Sequence, residues 1–262
     1  NSSNVVERAI EYWNGDEGKR GIVTLCWHWC PAARYDKSKS DPWGTFYTDK
    51  TKFNLARAMN GRDPDGYQML LDDIDAIAVQ LKRLQDADVP VLWRPLHEAS
   101  GGWFWWGASG ADAYLQLYKL MYERLTNVHG LNNLIWVWNG QDAAWYPGDE
   151  YVDIIGEDIY PGKHVYTSRA ARFIKALNYT DTRKLITLSE NGCIPDPEQL
   201  VRDNIMWSYW CVWEGEFVLK AAGFNNYSEQ YTEKNMLKKA YKSDTVITRK
   251  ELPDLRNYPL GD

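Results

Sequence analysis

Two glutamates of this 262-residue chain have neighbours that suit acid–base or nucleophilic chemistry on one bond. Glu98 follows His97 and precedes two glycines and four consecutive rings, in the segment 91–107, VLWRPLHEASGGWFWWG. Glu190 ends a second apolar run and is followed within two residues by a glycine. Glycosidic bond cleavage needs two such carboxyl groups, one to protonate the leaving oxygen and one to attack the sugar carbon or activate water. Surface salt bridges would explain either glutamate alone, but explain the pair less well.

The composition suits a partner with both apolar and polar faces. Aromatic residues make up 14% of the chain, with 14 Trp and 17 Tyr against 6 Phe. Trp and Tyr combine an apolar ring face with a polar edge, which matches the C–H faces and hydroxyl edges of sugars. An aromatic-rich core would explain the same numbers. The net charge of −6 argues against a nucleic-acid partner. The apolar stretches are shorter than the ~20 residues of a membrane span.

The four cysteines do not form a metal-binding pattern. Cys26, Cys30, Cys193 and Cys211 include no C-x-x-C pair of the kind that holds zinc. We expect mostly reduced, packed thiols, with one disulfide possible. No metal site and no cofactor are predicted.

Short apolar runs alternate with helical patterns along the chain. The helical patterns cover residues 72–88 and 111–128. The apolar runs are nearly continuous, as in strands that are buried on both faces. Alternating strands and helices predict a parallel sheet with right-handed crossovers. The predicted strands are 21–29, 90–97, 133–138, 152–160, 185–190 and 206–213.

The predicted fold class is α/β, a (β/α)8 TIM barrel. No strand is followed by GxGxxG or GxxxxGK[ST], so the nucleotide-binding alternatives lose their main support. In (β/α)8 barrels the active site lies at the carboxyl ends of the strands. Reactive or aromatic residues stand at these ends here: His28, His97, Glu98, Asn139, Glu157, Asp158, Tyr160, Glu190, Asn191, Trp210 and Trp213.

Six strand–helix units are visible, whereas a closed barrel has eight. An open barrel would leave two unpaired edges, which proteins avoid. We therefore expect the first two β/α units to lie upstream of Asn1. The prediction is one catalytic domain over 1–262 that is incomplete at its N-terminus, with the polar tail after Phe217 wrapping the outside of the barrel.

The segment RPLHEASGGWFWWG, residues 94–107, resembles the acid/base signature of glycoside hydrolase family 26, whose members are mainly endo-β-1,4-mannanases. GIVTLCWHW, LIWVWNG, VDIIGEDIY and LSENG resemble the family's third, fifth, sixth and seventh barrel strands, in that order. The resemblance covers residues 21–213. It implies a retaining mechanism with the acid/base on the fourth barrel strand, Glu98, and the nucleophile on the seventh, Glu190.

The same resemblance implies residues that contact the sugar. Tyr160 matches the tyrosine that hydrogen-bonds to the nucleophile, and Trp103 matches the ring on the leaving-group side. Trp210 is favoured over Trp213 as a further platform, because WSYWCVWEGE departs from the family pattern. The full predicted binding set is His28, His97, Trp103, Tyr160, Trp210, Trp213 and Trp43.

Some of these residues have an alternative explanation. Trp43 is nearly as easily explained by loop packing, and His97 could be a packed histidine. Arg94 has the strand parity to face inward, where it could pair with a glutamate or serve the structure. Of the four consecutive rings only Trp103 is expected to contact substrate, while 104–106 pack beneath Glu98.

The expected function is hydrolysis of β-1,4-mannosidic bonds within mannan, glucomannan or galactomannan. A double displacement through a glycosyl-enzyme intermediate would retain the configuration. The expected protein is secreted and monomeric, its partner is a β-mannan-type polysaccharide, and it has no nucleic-acid or membrane partner. The alternatives are a β-1,3-1,4-glucanase or β-1,3-xylanase of the same family, or a sugar-binding barrel without catalysis.

Overall fold

The computed structural model describes residues 4–15, 21–37, 42–220 and 226–259. Within these residues the chain forms six β-strands and seven α-helices that alternate along much of the sequence. It divides into two compact units, the first from residues 1–14 and 22–153 and the second from 15–21 and 154–262. Each of the six predicted apolar runs contains a strand.

The first unit is built on three parallel strands in the order β1, β2, β3. All four residues of β2 are buried, as its continuous apolar pattern predicts. The strands are β1 Val23–Cys26, β2 Val91–Arg94 and β3 Leu134–Trp138. The helices are α1 Val5–Asn14, α2 Leu55–Met59, α3 Pro64–Asp86 and α4 Ala111–Glu123.

Helix α3 begins at Pro64, earlier than the predicted start at residue 72. The Asp63 carboxylate accepts a hydrogen bond from the Gly66 backbone N–H at 2.9 Å, which caps the helix. Proline at the first helical position needs no N–H partner there. The start signal therefore lay in capping residues outside the apolar stripe. The buried stripe of α3 is Met69, Leu70, Ile74, Ala78, Leu81 and Leu84.

Helix α4 ends at Glu123, and the predicted helical segment continues as a π-helical turn, Arg124–Val128. Arg124 in this turn donates to both carboxylate oxygens of Asp75 on α3, at 2.5 and 2.6 Å. His129 Nε2 lies 2.6 Å from the same carboxylate. The turn therefore joins α4 to α3.

The second unit contains three further parallel strands, in which β5 pairs with both β4 and β6. The strand register shifts between Glu157 and Asp158, so that Asp158 lies opposite Glu190. The strands are β4 Ile154–Ile159, β5 Leu185–Asn191 and β6 Trp210–Val212. The helices are α5 Ala170–Leu177, α6 Pro197–Asp203 and α7 Lys234–Tyr241.

The tail after Phe217 is packed more deeply than its polar sequence predicts. Ser228 and Thr232 are buried, and Thr232 Oγ1 accepts a hydrogen bond from the Ile194 backbone N–H at 3.1 Å. The Tyr231 carbonyl accepts one from the His164 N–H at 3.0 Å. Ile194 follows β5 and His164 follows β4, so this part of the tail lies on the loops after both strands.

None of the four cysteines forms a disulfide, as expected for most of them. Among the described residues, no helix is both long and apolar enough to cross a membrane.

Candidate active site

Glu98 lies four residues beyond the end of β2, in a turn with unusual backbone geometry. Leu96 and Glu98 have φ angles of 53° and 52°, in the left-handed region that non-glycine residues rarely adopt. Such a conformation costs on the order of 1–3 kcal/mol and persists only where the surroundings hold it. The Glu98 N–H donates to the Asn139 carbonyl beyond β3 at 2.8 Å. The position of the carboxylate is thus determined by the ends of two neighbouring strands.

Trp103 is hydrogen-bonded to this glutamate. Its Nε1–H donates to Glu98 Oε2 at 2.9 Å, while 47% of the residue remains exposed. A Cβ on Gly101 would lie 2.0 Å from the Trp103 ring, so only glycine allows the ring to approach there. Gly102 has φ 71°, which glycine adopts without strain. The two glycines fold the chain back so that an open ring lies beside the carboxylate.

The next three rings are structural. Phe104, Trp105 and Trp106 are 5%, 1% and 0% exposed. Trp105 Nε1 donates to the Trp29 carbonyl at 2.6 Å, and Trp106 Nε1 donates to the His97 carbonyl at 2.8 Å. Of the four consecutive rings, only Trp103 faces solvent.

His97 is almost fully buried beside Glu98. The rings of His97 and His28 meet edge to face with centroids 4.9 Å apart. Burial lowers the pKa of His97 well below its usual range, and the nearby charges of Arg94 and His28 act in the same direction. His97 is therefore a neutral imidazole at neutral pH. His28, after β1, is half-buried, and its Nδ1 lies 3.9 Å from the Cys26 sulfur.

Arg94 faces inward, as its strand parity allows. It is 4% exposed, and its Nη1 donates to Asn139 Oδ1 at 3.1 Å. Since Asn139 also holds the Glu98 N–H through its carbonyl, Arg94 and Asn139 stabilise the base of the Glu98 turn.

Glu190 lies near the carboxyl end of β5 and is 4% exposed. The Tyr160 hydroxyl donates to Glu190 Oε2 at 2.5 Å, and 42% of Tyr160 is exposed. Asp158 has a carboxylate oxygen within 4.8 Å of one from Glu190. Ser189 Oγ donates to Asp158 Oδ1 at 2.6 Å.

Carboxylates such as Asp158 and Glu190 are also the oxygen ligands that hard divalent cations prefer. Here Ser189 and Tyr160 donate to them, which is an arrangement that needs no ion. The expectation of no metal stays a prediction.

Glu157 was one of the candidate strand-end residues, but in the structure its side chain lies against α5. It is fully buried, accepting hydrogen bonds from Arg172 Nε at 2.8 Å and from the Tyr179 hydroxyl at 2.9 Å. Burial raises the pKa of Glu157, and Arg172 opposes that shift. Neighbouring residues of a strand point to opposite faces, so Glu157 turns toward α5 while the next acid lies by Glu190.

The remaining predicted rings differ in exposure. Trp210 begins β6 and Trp213 follows it, and both are half-buried. The Trp213 N–H donates to the Asn191 carbonyl at 3.0 Å, next to Glu190 in sequence. Trp43 is 77% exposed in the short turn Pro42–Gly44, so loop packing does not explain its ring.

Of two further neighbours of the Glu190 group, Asp158 was among the strand-end candidates and Phe217 was not singled out from the sequence. Asp158 has the same strand parity as Tyr160, which was a readable signal. Phe217 lies with its ring centroid 5.3 Å from that of Tyr160. No local pattern could indicate Phe217, because the contact joins positions far apart in sequence.

The chain matches the model of Glycosyl hydrolase family 26 over residues 1–251. A mannan endo-1,4-beta-mannosidase of Thermothelomyces thermophilus is 46% identical over 248 residues, which are 94% of this chain and 48% of that protein. The chain therefore spans about half the length of this curated relative.

Solved structures agree with this match. The GH26-CBM35 beta-(1,4)-mannanase of Podospora anserina has a TM-score of 0.84 and 39% identity, over 95% of this chain and 53% of that one. A beta-mannanase from a symbiotic protist of the termite Reticulitermes speratus, solved with a gluco-manno-oligosaccharide, has a TM-score of 0.80 and 35% identity, over 95% and 72%.

These matches confirm the predicted fold class, a (β/α)8 barrel, of which the described residues form six parallel strands. With the family model covering nearly all of its length, the chain belongs to glycoside hydrolase family 26.

Proposed function

We propose that this chain carries the catalytic residues of a retaining endo-β-1,4-mannanase. The observation that carries the proposal is common to both glutamates. Each lies beyond or near the carboxyl end of its strand, and each accepts a hydrogen bond from a partly exposed aromatic residue, Trp103 to Glu98 and Tyr160 to Glu190. The relatives are a mannan endo-1,4-beta-mannosidase and a beta-(1,4)-mannanase, which supports mannan as the substrate.

The first step forms a glycosyl-enzyme. An oxygen of the Glu190 carboxylate attacks the anomeric carbon, the glycosidic C–O bond breaks, and the Glu98 proton moves to the leaving oxygen. Tyr160 holds Oε2 of Glu190 through a hydrogen bond. This step requires Glu98 and Glu190 to reach one glycosidic bond from different strands.

The second step releases the sugar. Glu98, now a carboxylate, takes a proton from water, and the water oxygen attacks the anomeric carbon. The ester bond to Glu190 breaks and its electron pair returns to the carboxylate. Two displacements at one carbon retain its configuration.

The remaining predicted residues would hold the polysaccharide. Trp103 offers a half-exposed ring face on the leaving-group side, and Trp43 offers a nearly open one. His28, Trp210 and Trp213 are half-buried, as expected for side chains that bound the sugar rather than lie in the core. His97 is buried and neutral, so it would contact the sugar only through an edge.

The proposal is tested by replacing the two glutamates. Glu98→Ala and Glu190→Ala are each expected to lower kcat on mannan by on the order of 10³- to 10⁶-fold, with unchanged circular dichroism. Glu123→Ala, which alters an exposed glutamate on α4, is the matched control and should retain full activity.

Azide separates the two roles. Since azide can replace either the nucleophile or the activated water, it should give an α-mannosyl azide with Glu190→Ala and a β-mannosyl azide with Glu98→Ala. The unaltered enzyme should release the β-anomer first, as followed by NMR. An active Glu190→Ala variant, or first release of the α-anomer, would contradict the mechanism.

Substrate class is decided by comparing glucomannan, lichenan and β-1,3-xylan in a reducing-sugar assay. Hydrolysis of glucomannan and mannan is expected. Preference for lichenan or β-1,3-xylan would assign one of the other family activities. Binding without hydrolysis of any of these would mean a sugar-binding barrel.

A further inference from the structure

The ring of Tyr160 rests on a short column of aromatic side chains from the tail. The Phe217 ring lies 5.3 Å from the Tyr160 ring, and the Tyr231 ring lies 4.2 Å from that of Phe217. Phe217 ends the single turn Gly215–Phe217 after β6. We call Tyr160, Phe217 and Tyr231 the ring column.

The ring column is closely fitted at the end of the Glu190 strand. A Cβ added to Gly192 would lie 3.0 Å from Phe217 Cε1 and 3.3 Å from Tyr160 Cδ1. A side chain there would press on both rings at once. Glycine two residues after Glu190 is therefore what lets Phe217 lie against Tyr160.

Tyr231, at the far end of the ring column, is hydrogen-bonded to the loops that follow Tyr160 and Glu190. The Tyr231 carbonyl accepts hydrogen bonds from the His164 N–H at 3.0 Å and from the Cys193 thiol at 2.9 Å. The Tyr231 hydroxyl donates to Glu216 Oε1 at 3.3 Å, beside Phe217. Cys193 follows Glu190 by three residues and His164 follows Tyr160 by four. The tail thus rests on both loops and supports Phe217 from behind.

Tyr160 needs such a support. It lies one residue beyond β4 and is 42% exposed, so strand packing alone does not hold its ring. Its hydroxyl nonetheless meets Glu190 Oε2 at 2.5 Å. Packing against an ordered ring lowers the entropy cost of holding the Tyr160 side chain in one rotamer. Supporting side chains fix the geometry of a reactive group in this way.

We propose that Phe217 is a positioning residue that acts through Tyr160, keeping the Tyr160 hydroxyl on Glu190 and thereby orienting the nucleophile. The proposal rests on the proposed function, in which Glu190 attacks the sugar. Phe217 itself need not touch the substrate.

The test compares Phe217→Leu with Phe217→Tyr. Phe217→Leu removes the aromatic ring that packs on Tyr160. It is expected to lower kcat/KM on an activated mannobioside by on the order of 10- to 100-fold, mainly by slowing the glycosylation step. The acid limb of its kcat/KM profile should move to higher pH, because the Glu190 carboxylate loses a donor. Phe217→Tyr keeps the ring and should retain activity within about threefold.

A double-mutant cycle shows whether Phe217 acts through Tyr160. In a Tyr160→Phe background the hydroxyl is already absent, so adding Phe217→Leu should cost little further activity. Phe173→Leu is the matched control, because Phe173 packs on Trp207 with ring centroids 5.0 Å apart. It should lower thermal stability without moving the acid limb.

Full additivity of the two substitutions, or a Phe217→Leu profile like the unaltered one, would overturn the positioning role. If Phe217→Leu does not fold, Gly192→Ala perturbs the same contact and should shift the profile in the same direction, and no shift would again overturn it. Failure of the proposed function looks different, since either the unaltered protein would not hydrolyse mannan or Glu190→Ala would remain active.

Discussion

The backbone conformation of Glu98 is the least ordinary feature among the candidate residues. Glu98 keeps a left-handed backbone conformation, which costs free energy, between a buried strand and buried rings. In this conformation its carboxylate accepts the hydrogen bond from Trp103. Tyr160 donates the equivalent hydrogen bond to Glu190. In both pairs an aromatic side chain combines a polar edge on the carboxylate with a ring open to solvent.

Gly101→Ala tests the importance of the ring approach. The new Cβ would lie 2.0 Å from Trp103 Cζ3, so the ring must move and its hydrogen bond to Glu98 is lost. We expect kcat/KM on mannan to fall on the order of 10- to 100-fold. Ser100→Ala, on the exposed neighbour, is the control and should have no such effect. Unchanged activity of Gly101→Ala would mean that Trp103 has no part in catalysis or binding.

At the residue scale, sequence patterns identified Glu98, Glu190, Trp103 and Tyr160. Their substrate roles stay predictions. Strand parity separates Glu157 from Asp158 and Tyr160, but the partner of Glu157, Arg172, is known only from the structure. Phe217 was out of reach for a different reason, since its partner Tyr160 is a long-range neighbour.

The strands position the candidate side chains, and contacts between helices support the fold around them. The strand ends carry the reactive side chains, while α3 and α4 are joined through Asp75, Arg124 and His129 in the first unit. The apolar periodicity predicted the existence of α3 and α4. It missed the start of α3, which depends on the Asp63 cap, and the π-helical end of α4.

The Asp75 cluster predicts a pH dependence of stability. The Arg124 hydrogen bond lowers the pKa of Asp75 to about 2, with His129 contributing. A lowered carboxyl pKa stabilises the fold above its unfolded pKa of about 3.9, and that contribution is lost as pH falls through about 2. Because the pair is partly exposed, Asp75→Asn should cost about 0.5–1 kcal/mol near neutral pH.

The measurement is urea unfolding of Asp75→Asn and the unaltered protein between pH 7 and 2. The difference in unfolding free energy should shrink below pH 4. Asp86→Asn is the control on the same helix, where Asp86 pairs with Lys82 and its side chain is 62% exposed. A difference that stays constant down to pH 2 would show that the ion pair is not its source.

The chain matches one family over residues 1–251, which is almost its entire length. Its structure consists of two compact units. The single domain over 1–262, secretion and a monomeric state all stay predictions.

Free cysteines lead to a prediction for the molecule as a whole. Since Cys26, Cys30, Cys193 and Cys211 are all thiols, reducing agent should leave the thermal midpoint unchanged. Thiol titration of the unfolded, unreduced protein should count four groups. A midpoint that falls on reduction would reveal a disulfide, because losing one from a folded domain costs about 2–5 kcal/mol.

Local patterns were sufficient for the fold class and for the positions of the six strands along the chain, and they indicated the two glutamates, whose roles stay predictions. Continuous apolar runs, helical periodicity and short motifs reflect interactions between residues close in sequence. The exposure of Trp43, the partners of Glu157, and the tail's contact with the loops after β4 and β5 were decided by tertiary structure alone. Burial and long-range contacts depend on how distant segments pack, so the Trp43 ring lies open and the Phe217 ring lies against Tyr160.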